Sequence, residues 1–162
     1  MNSQHEAEAR ELYVQAELRK NGYDVLIPIS HASRYDVAIV KDGHLVKIQV
    51  KNLKPTKSNN GSYTVNAYSV DPRTGDKTGD KRPYKPGEVD ILVGYNLDDD
   101  TFVAIPMNKV NGDTITVSKE GNFKDYFDNW KAIDEVYGNT MVANKLSELN
   151  QAIEEIVQDM IR

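Results

Sequence analysis

Tyr35-Asp36-Val37-Ala38-Ile39-Val40-Lys41, the pair Asp42-Gly43, then His44-Leu45-Val46-Lys47-Ile48-Gln49-Val50-Lys51 is the stretch that decides the fold. Both arms are rich in β-branched residues, which favour strands. Asp-Gly suits the two positive-φ positions of a type I′ hairpin turn. With that turn, Lys41 faces His44 and Val40 faces Leu45, and counting outward puts Asp36 across from Gln49. Directly opposed side chains lie about 5 Å apart on one face of a sheet. Alternation then places Lys47, Gln49 and Lys51 on one face and Val46, Ile48 and Val50 on the other. The apolar set suits a core. The polar set by itself reads as a solvated strand face. With Asp36 beside it, the same face also reads as a carboxylate, an amide oxygen and an ammonium group converging where a metal ion and a phosphate could meet.

The segment before the hairpin bears on that choice. Residues from about Gln4 to Lys20 contain no Gly or Pro and are rich in Ala, Glu, Leu and Arg, a helix-forming composition. Asn21-Gly22 ends it, with Gly22 a left-handed cap. Ala7, Val14 and Leu18 form one stripe at helical spacing, and Glu11 interrupts it. An ionised carboxylate on a packing face is costly unless it is paired. Glu11 either lies at the rim of the core and reaches water, or faces a cation.

The run from Glu11 through Gly22-Tyr23 to Pro28, followed by Ser33-Arg34-Tyr35-Asp36 and Ile48-Gln49-Val50-Lys51, resembles the core of the PD-(D/E)xK nucleases. Within that superfamily it is most similar to the small group I intron homing endonucleases of cyanobacterial type, which write the motif QxK. The resemblance covers about residues 4–106, including the strand-like segment Glu88 to Tyr95. It implies that Glu11, Asp36, Gln49 and Lys51 are the catalytic residues, with Glu11, Asp36 and Gln49 as metal ligands. It also implies Mg²⁺ as cofactor, with Mn²⁺ a substitute, and hydrolysis of a DNA phosphodiester. Gln49 departs from the wider superfamily by supplying a neutral oxygen in place of a carboxylate, so the site carries one negative charge fewer for binding two metals. Mg²⁺ takes oxygen ligands, can polarise a phosphate and acidify bound water, and a lysine such as Lys51 stabilises developing charge.

Composition bounds the remaining choices. A chain of 162 residues fits one domain. It has no cysteine, hence no disulfide framework or thiolate zinc site. It has no long apolar run and no signal-peptide pattern, so the expectation is a soluble, cytoplasmic protein of a bacterial or phage-infected cell, with no membrane partner. His5, His31 and His44 show no ligand spacing. The net charge of −5 hides a strong asymmetry. Residues 41–87 carry ten Lys/Arg against four Asp/Glu, whereas residues 88–162 carry six against fifteen. The basic middle third is therefore the expected double-stranded DNA interface, with Lys54, Lys57, Arg73, Lys77, Lys81, Arg82 and Lys85 as contact residues. Tyr63 to Val70 alternates like a strand, with Tyr63, Val65 and Ala67 on one face. Residues 71–87, with three Gly and three Pro, read as a basic loop without regular structure.

Val89 to Tyr95 and Thr101 to Pro106 read as strands around an acidic tip, Asp98-Asp99-Asp100. Asp90 reads as an ordinary aspartate at the start of a strand. Residues 111–117 predict one further strand, and Asn122 to about Tyr137 an amphipathic helix with Phe123, Tyr126, Phe127 and Trp130 as a packing stripe. Val142, Leu146, Leu149, Ile153, Ile156 and Met160 follow a 4-3-4-3-4 spacing, a heptad seam suited to pairing with a second copy.

The expectation is an α/β fold, with a restriction-endonuclease-like core whose mixed central sheet is flanked by helices. It forms one domain over 1–162, with core 4–106, basic loop 71–87 and a C-terminal helical oligomerisation segment 122–162 that makes a dimer or tetramer. The expected activity is sequence-specific cleavage of double-stranded DNA of the homing type. The alternatives are a Holliday-junction resolvase or restriction-like nuclease on the same core, a non-catalytic DNA-binding module, and an oligomeric protein whose basic loop meets an acidic partner.

Overall fold

The computed structural model describes residues 3–30, 33–58, 60–70 and 81–162. Helix α1 spans Ser3–Lys20 and ends as its sequence requires. Gly22 takes φ +84°, its N–H donates to the Arg19 carbonyl at 2.9 Å, and the Tyr23 N–H donates to the Leu18 carbonyl at 3.1 Å. This is a Schellman closure.

Strand β1 (Asp24–Leu26) leads to the hairpin of β2 (Val37–Lys41) and β3 (His44–Asn52). Its register is the one counted from the turn: Lys41 pairs with His44, Val40 with Leu45 and Val37 with Ile48. Asp42 and Gly43 both have positive φ, 48° and 80°, as a type I′ turn demands. Two later strands, β8 (Ile91–Asn96) and β9 (Thr101–Pro106), complete a five-stranded sheet of order β1-β2-β3-β8-β9. β3 and β8 are parallel and the other neighbours antiparallel, so the sheet is mixed. Every residue of β8 and β9 is buried. The Asp90 carboxylate accepts the Lys47 N–H at 2.8 Å and the Asp90 N–H donates to the Lys47 carbonyl at 2.9 Å. Asp90 thus fastens the start of β8 to β3.

The predicted strand Tyr63 to Val70 divides at Ala67. β5 (Ser62–Asn66) pairs with β4 (Lys54–Pro55) and β10 (Thr114–Ser118), whereas β6 (Tyr68–Val70) pairs with β7 (Lys81–Pro83). Tyr63, Val65 and Ala67 do share the buried face. Lys81–Pro83 corrects the expectation that 71–87 lacks regular structure: the end of that segment is a strand, held by backbone bonds to β6. Val65 packs against β8 at Gly94, where an added Cβ would come within 2.7 Å of Val65 Cγ2. Glycine is what lets the small sheet lie this close to the central one.

A second correction concerns 122–130, since the helix expected from Asn122 starts only at Lys131. Only a 3₁₀ turn forms at Lys124–Tyr126, and Phe123 and Asp128 take left-handed φ of 63° and 51°. The segment docks on β9 instead of coiling. The Asp128 carboxylate accepts the Phe102 N–H at 2.9 Å and the Thr101 hydroxyl at 2.7 Å, and the Asp128 N–H donates to the Phe102 carbonyl at 2.9 Å. Tyr126, Phe127 and Trp130 are buried as packing residues, as their spacing suggested. The acidic tip is exposed, although Asp99 accepts the Tyr63 hydroxyl at 3.1 Å and Asp100 that of Tyr95.

Helix α2 then runs unbroken over Lys131–Ile161. Ala132 and Ile133 are buried, but everything from Met141 onward is exposed. The six seam residues are 50–81% exposed, so this part of the helix does not pack on its own chain. No helix among the described residues is long and apolar enough to cross a membrane.

Candidate active site

Asp36 stands just ahead of β2, and its N–H donates to the Ile48 carbonyl at 3.0 Å, extending the hairpin register by one residue. Its Oδ2 accepts the Val50 N–H at 2.8 Å and the Gln49 side-chain amide at 2.5 Å. The pairing counted from Asp42-Gly43 therefore delivers Gln49 to Asp36. Lys51 follows Gln49 on the same strand face. Glu11 comes from the middle of α1, half-buried, where the Asp36 charge repels it and the Lys51 charge attracts it. Residues from α1, from β3 and from the chain entering β2 are thus gathered close enough for their charges to interact.

Burial dominates the electrostatics. It pushes the Glu11 carboxyl up to about 7, with repulsion from Asp36 and Glu8 adding to it and Arg10 and Lys51 opposing it. Burial also raises Asp36, against the stabilising Val50 N–H, the Lys51 charge and the Gln49 amide. Lys51 is lowered by burial, with Asp36 and Glu11 resisting and Arg34 assisting. Two acids are discouraged from ionising and one ammonium is made easier to deprotonate, a pattern typical of functional clusters.

Two residues absent from the sequence-based set complete the surroundings. Tyr84 follows β7 and lies under two cations: Arg34 Cζ is 4.9 Å and Lys51 Nζ 5.8 Å from its ring centroid. Arg34 donates to Glu88 Oε2 at 3.2 Å, to the Ser69 hydroxyl at 2.5 Å and to the Pro83 carbonyl at 3.4 Å. Arg82 donates to the other oxygen of Glu88 at 3.3 Å. Arg34 thereby ties the β6–β7 hairpin to the loop carrying Asp36. The Tyr84 hydroxyl is buried with no hydrogen-bond partner among the described residues, and burial together with the Asp36 charge pushes it up. The signals available were thin: Arg34 is a cation two residues before Asp36, and Tyr84 is the one aromatic residue in a polar basic stretch.

The expected DNA contacts divide. Lys54, Lys57 and Lys85 are exposed. Lys81 lies 3.7 Å from Asp113 and over the Tyr68 ring, and Arg82 is paired with Glu88. Arg73 and Lys77, like His31, fall outside the described residues.

No cluster of three or more His, Cys, Asp or Glu side chains arranged for a metal ion occurs among the described residues. The oxygen donors gathered here are two carboxylates and one neutral amide. Both hydrogen bonds to Asp36 end on Oδ2, which leaves Oδ1 as an acceptor. Gln49 turns its N–H toward Asp36, leaving its own Oε1. With Glu11 this is a hard, all-oxygen donor set, the kind that suits Mg²⁺ or Mn²⁺.

A sequence profile of the PD-(D/E)XK endonuclease family matches residues 1–131. Protein 5.3 of Escherichia phage T7 is 32% identical over 115 residues, spanning 70% of this chain and 89% of the phage protein. Among solved structures, the bacterial homing endonuclease I-Ssp6803I superposes with a TM-score of 0.62 at 18% identity, covering 91% of this chain and 99% of the other. That likeness is one of fold.

Proposed function

The chain belongs to the PD-(D/E)XK endonuclease family, and from that premise we propose that it is a Mg²⁺-dependent, sequence-specific endonuclease of double-stranded DNA, of the homing type. The observation that carries this reading is the Asp36–Gln49 hydrogen bond at the base of the hairpin, with Lys51 next on that face and Glu11 opposing it from α1. A glutamine where the superfamily writes a carboxylate, together with a fold shared with a bacterial homing endonuclease, favours the homing type. The phage origin of a relative accords with work inside a bacterial or phage-infected cell.

Asp36 and Glu11 would hold the cation, with the Gln49 amide oxygen as a neutral third donor. A cation held there would supply polarisation of the phosphodiester and a more acidic water. Lys51 sets its ammonium against the charge that builds on the phosphate oxygens during attack. Burial also lowers its proton affinity, so more of Nζ is uncharged near neutral pH, and that neutral form can take a proton from the attacking water and become the stabilising ammonium. Asp36, gripped by the Val50 N–H and the Gln49 amide, keeps one carboxylate oxygen in a constant position. Self-association through the exposed α2 seam brings two such sites together, as cutting both strands requires.

The test is incubation of supercoiled plasmids, a four-way junction and a genomic library with the protein, with and without Mg²⁺. Discrete cuts at one long site support the homing type, and cutting confined to junctions favours a resolvase. No cleavage of any DNA sinks the enzyme reading. Asp36→Ala and Lys51→Ala each abolish cleavage while DNA binding persists; normal cutting by either variant refutes the site. Sedimentation of a chain ending before Met141 tests the seam, and an unchanged assembly mass rules it out.

A further inference from the structure

A groove of about 580 Å³ opens beside the cluster, between the first half of α1 and the small sheets. Lys51 stands at its wall together with Arg10, Asn52, Lys54, Thr64 and Asn66. The lining carries three cations against a single carboxylate, Glu6.

Arg10 is the unusual member. Its side chain is only 11% exposed, yet its one ion pair among the described residues is with Glu6 at 4.0 Å, the outer limit of such a contact. It makes no hydrogen bond to any described residue. A desolvated guanidinium without matched acceptors is costly to keep. Its planar fork fits a phosphate in two-point contact, and a phosphate arriving in the groove would supply what the fold omits. Lys54, exposed on β4, adds a second cation.

We propose that this groove binds the sugar–phosphate backbone of the DNA strand adjacent to the scissile bond, with Arg10 and Lys54 each engaging a backbone phosphate. The hydroxyl and amide side chains of Thr64, Asn52 and Asn66 supply neutral polar walls. The inference rests on the nuclease reading of the Asp36 site and extends it to a strand-positioning surface that also includes α1. Arg10 acts on binding and on the placement of the strand.

The test is the salt dependence of binding to a fluorescein-labelled duplex of random sequence, measured by anisotropy in chelator so that no cleavage intervenes. Each lost phosphate contact makes the slope of log K against log salt shallower by about 0.9. Arg10→Gln and Lys54→Gln each show that change, and the double variant about twice it. Arg10→Lys, which keeps the charge, returns most of the slope. Lys20→Gln, at the exposed far end of α1, leaves the slope unchanged. Lys54 is a surface residue, so its replacement reads the groove even if Arg10→Gln disturbs packing. If Arg10→Gln folds and both variants keep the wild-type slope, the proposal is overturned while wild-type cleavage still stands. If Lys54→Gln alone keeps it, the Lys54 contact is overturned. If the wild-type protein binds no duplex, the groove and the nuclease reading fall together.

Discussion

Replacing Glu11 by glutamine tests whether the candidate site stores electrostatic strain that the proposed cation would relieve. The Glu11 carboxyl is raised from 4.5 to about 7, by burial first and Asp36 second. Its folded-state proton affinity therefore exceeds the unfolded one. Between those pH values the native chain holds a proton that the unfolded chain has released, so stability falls as pH rises across the window and the loss is complete by pH 8. At about 1.4 kcal/mol per tenfold change in proton affinity, the ceiling is about 3 kcal/mol. Glu11 is only half-buried, and solvent screening reduces the expected effect to about 1–2 kcal/mol. Glu11→Gln keeps the shape and removes the charge. In urea unfolding with chelator present and protein concentration held constant, the variant is more stable than wild type by that amount at pH 8 and equal to it at pH 4. The same variant loses cleavage. A gain of equal size at both pH values would show a packing effect, and no gain at pH 8 would mean the Glu11 carboxyl is neither desolvated nor repelled by Asp36 as described.

Three other outcomes follow from the geometry. Gly94→Ala places a Cβ 2.7 Å from Val65 Cγ2 and 3.2 Å from Leu53 Cδ1, an overpacking that costs about 1–3 kcal/mol; a melting temperature no lower than wild type would contradict the close approach of β5 to β8. Tyr84→Phe removes a buried hydroxyl that has no partner among the described residues and raises stability by about 1 kcal/mol, whereas Tyr84→Leu also removes the ring beneath Lys51 and slows plasmid cleavage about fivefold, from a cation–π contribution of about 1 kcal/mol. Destabilisation by Tyr84→Phe would show that the hydroxyl is satisfied. Gln49→Glu faces Asp36 with a second carboxylate in place of the amide donor, so metal-free stability at pH 8 falls and the Mg²⁺ concentration for half-maximal cleavage decreases; a higher Mg²⁺ requirement would argue that Gln49 orients water instead of contributing to the cation site.

Much of the candidate site's geometry could be read from neighbouring residues because its central pair lies on one hairpin. Asp36 and Gln49 are joined through a two-residue turn, and turn geometry dictates register over such a short span. Glu11 was legible for another reason, as a charge breaking an apolar helical stripe. Arg34 and Tyr84 were not legible. Arg34 reaches Glu88 and Pro83 across about fifty positions of chain, and local periodicity carries no trace of such a contact. The same limit explains 122–130. Aromatic spacing predicted a helix, but the Asp128 carboxylate found the Thr101 hydroxyl and the Phe102 N–H on β9, and those bonds outweigh a modest helical preference.

Rules that act over a few residues were therefore enough for the α1 cap, the β2–β3 register, the buried alternation of β5 and the heptad spacing of α2. Where those pieces meet was beyond them. The parallel alignment of β3 with β8 sets Lys51 beside Gly94, and the missing side chain there admits Val65, which brings the small sheets up to the central one. Only that packing creates the groove holding Arg10, and only the completed core leaves the α2 seam without a surface of its own chain to cover it. Contacts of this kind depend on burying apolar area between segments distant in sequence. Their free energy belongs to the assembled core and to no single stretch of chain.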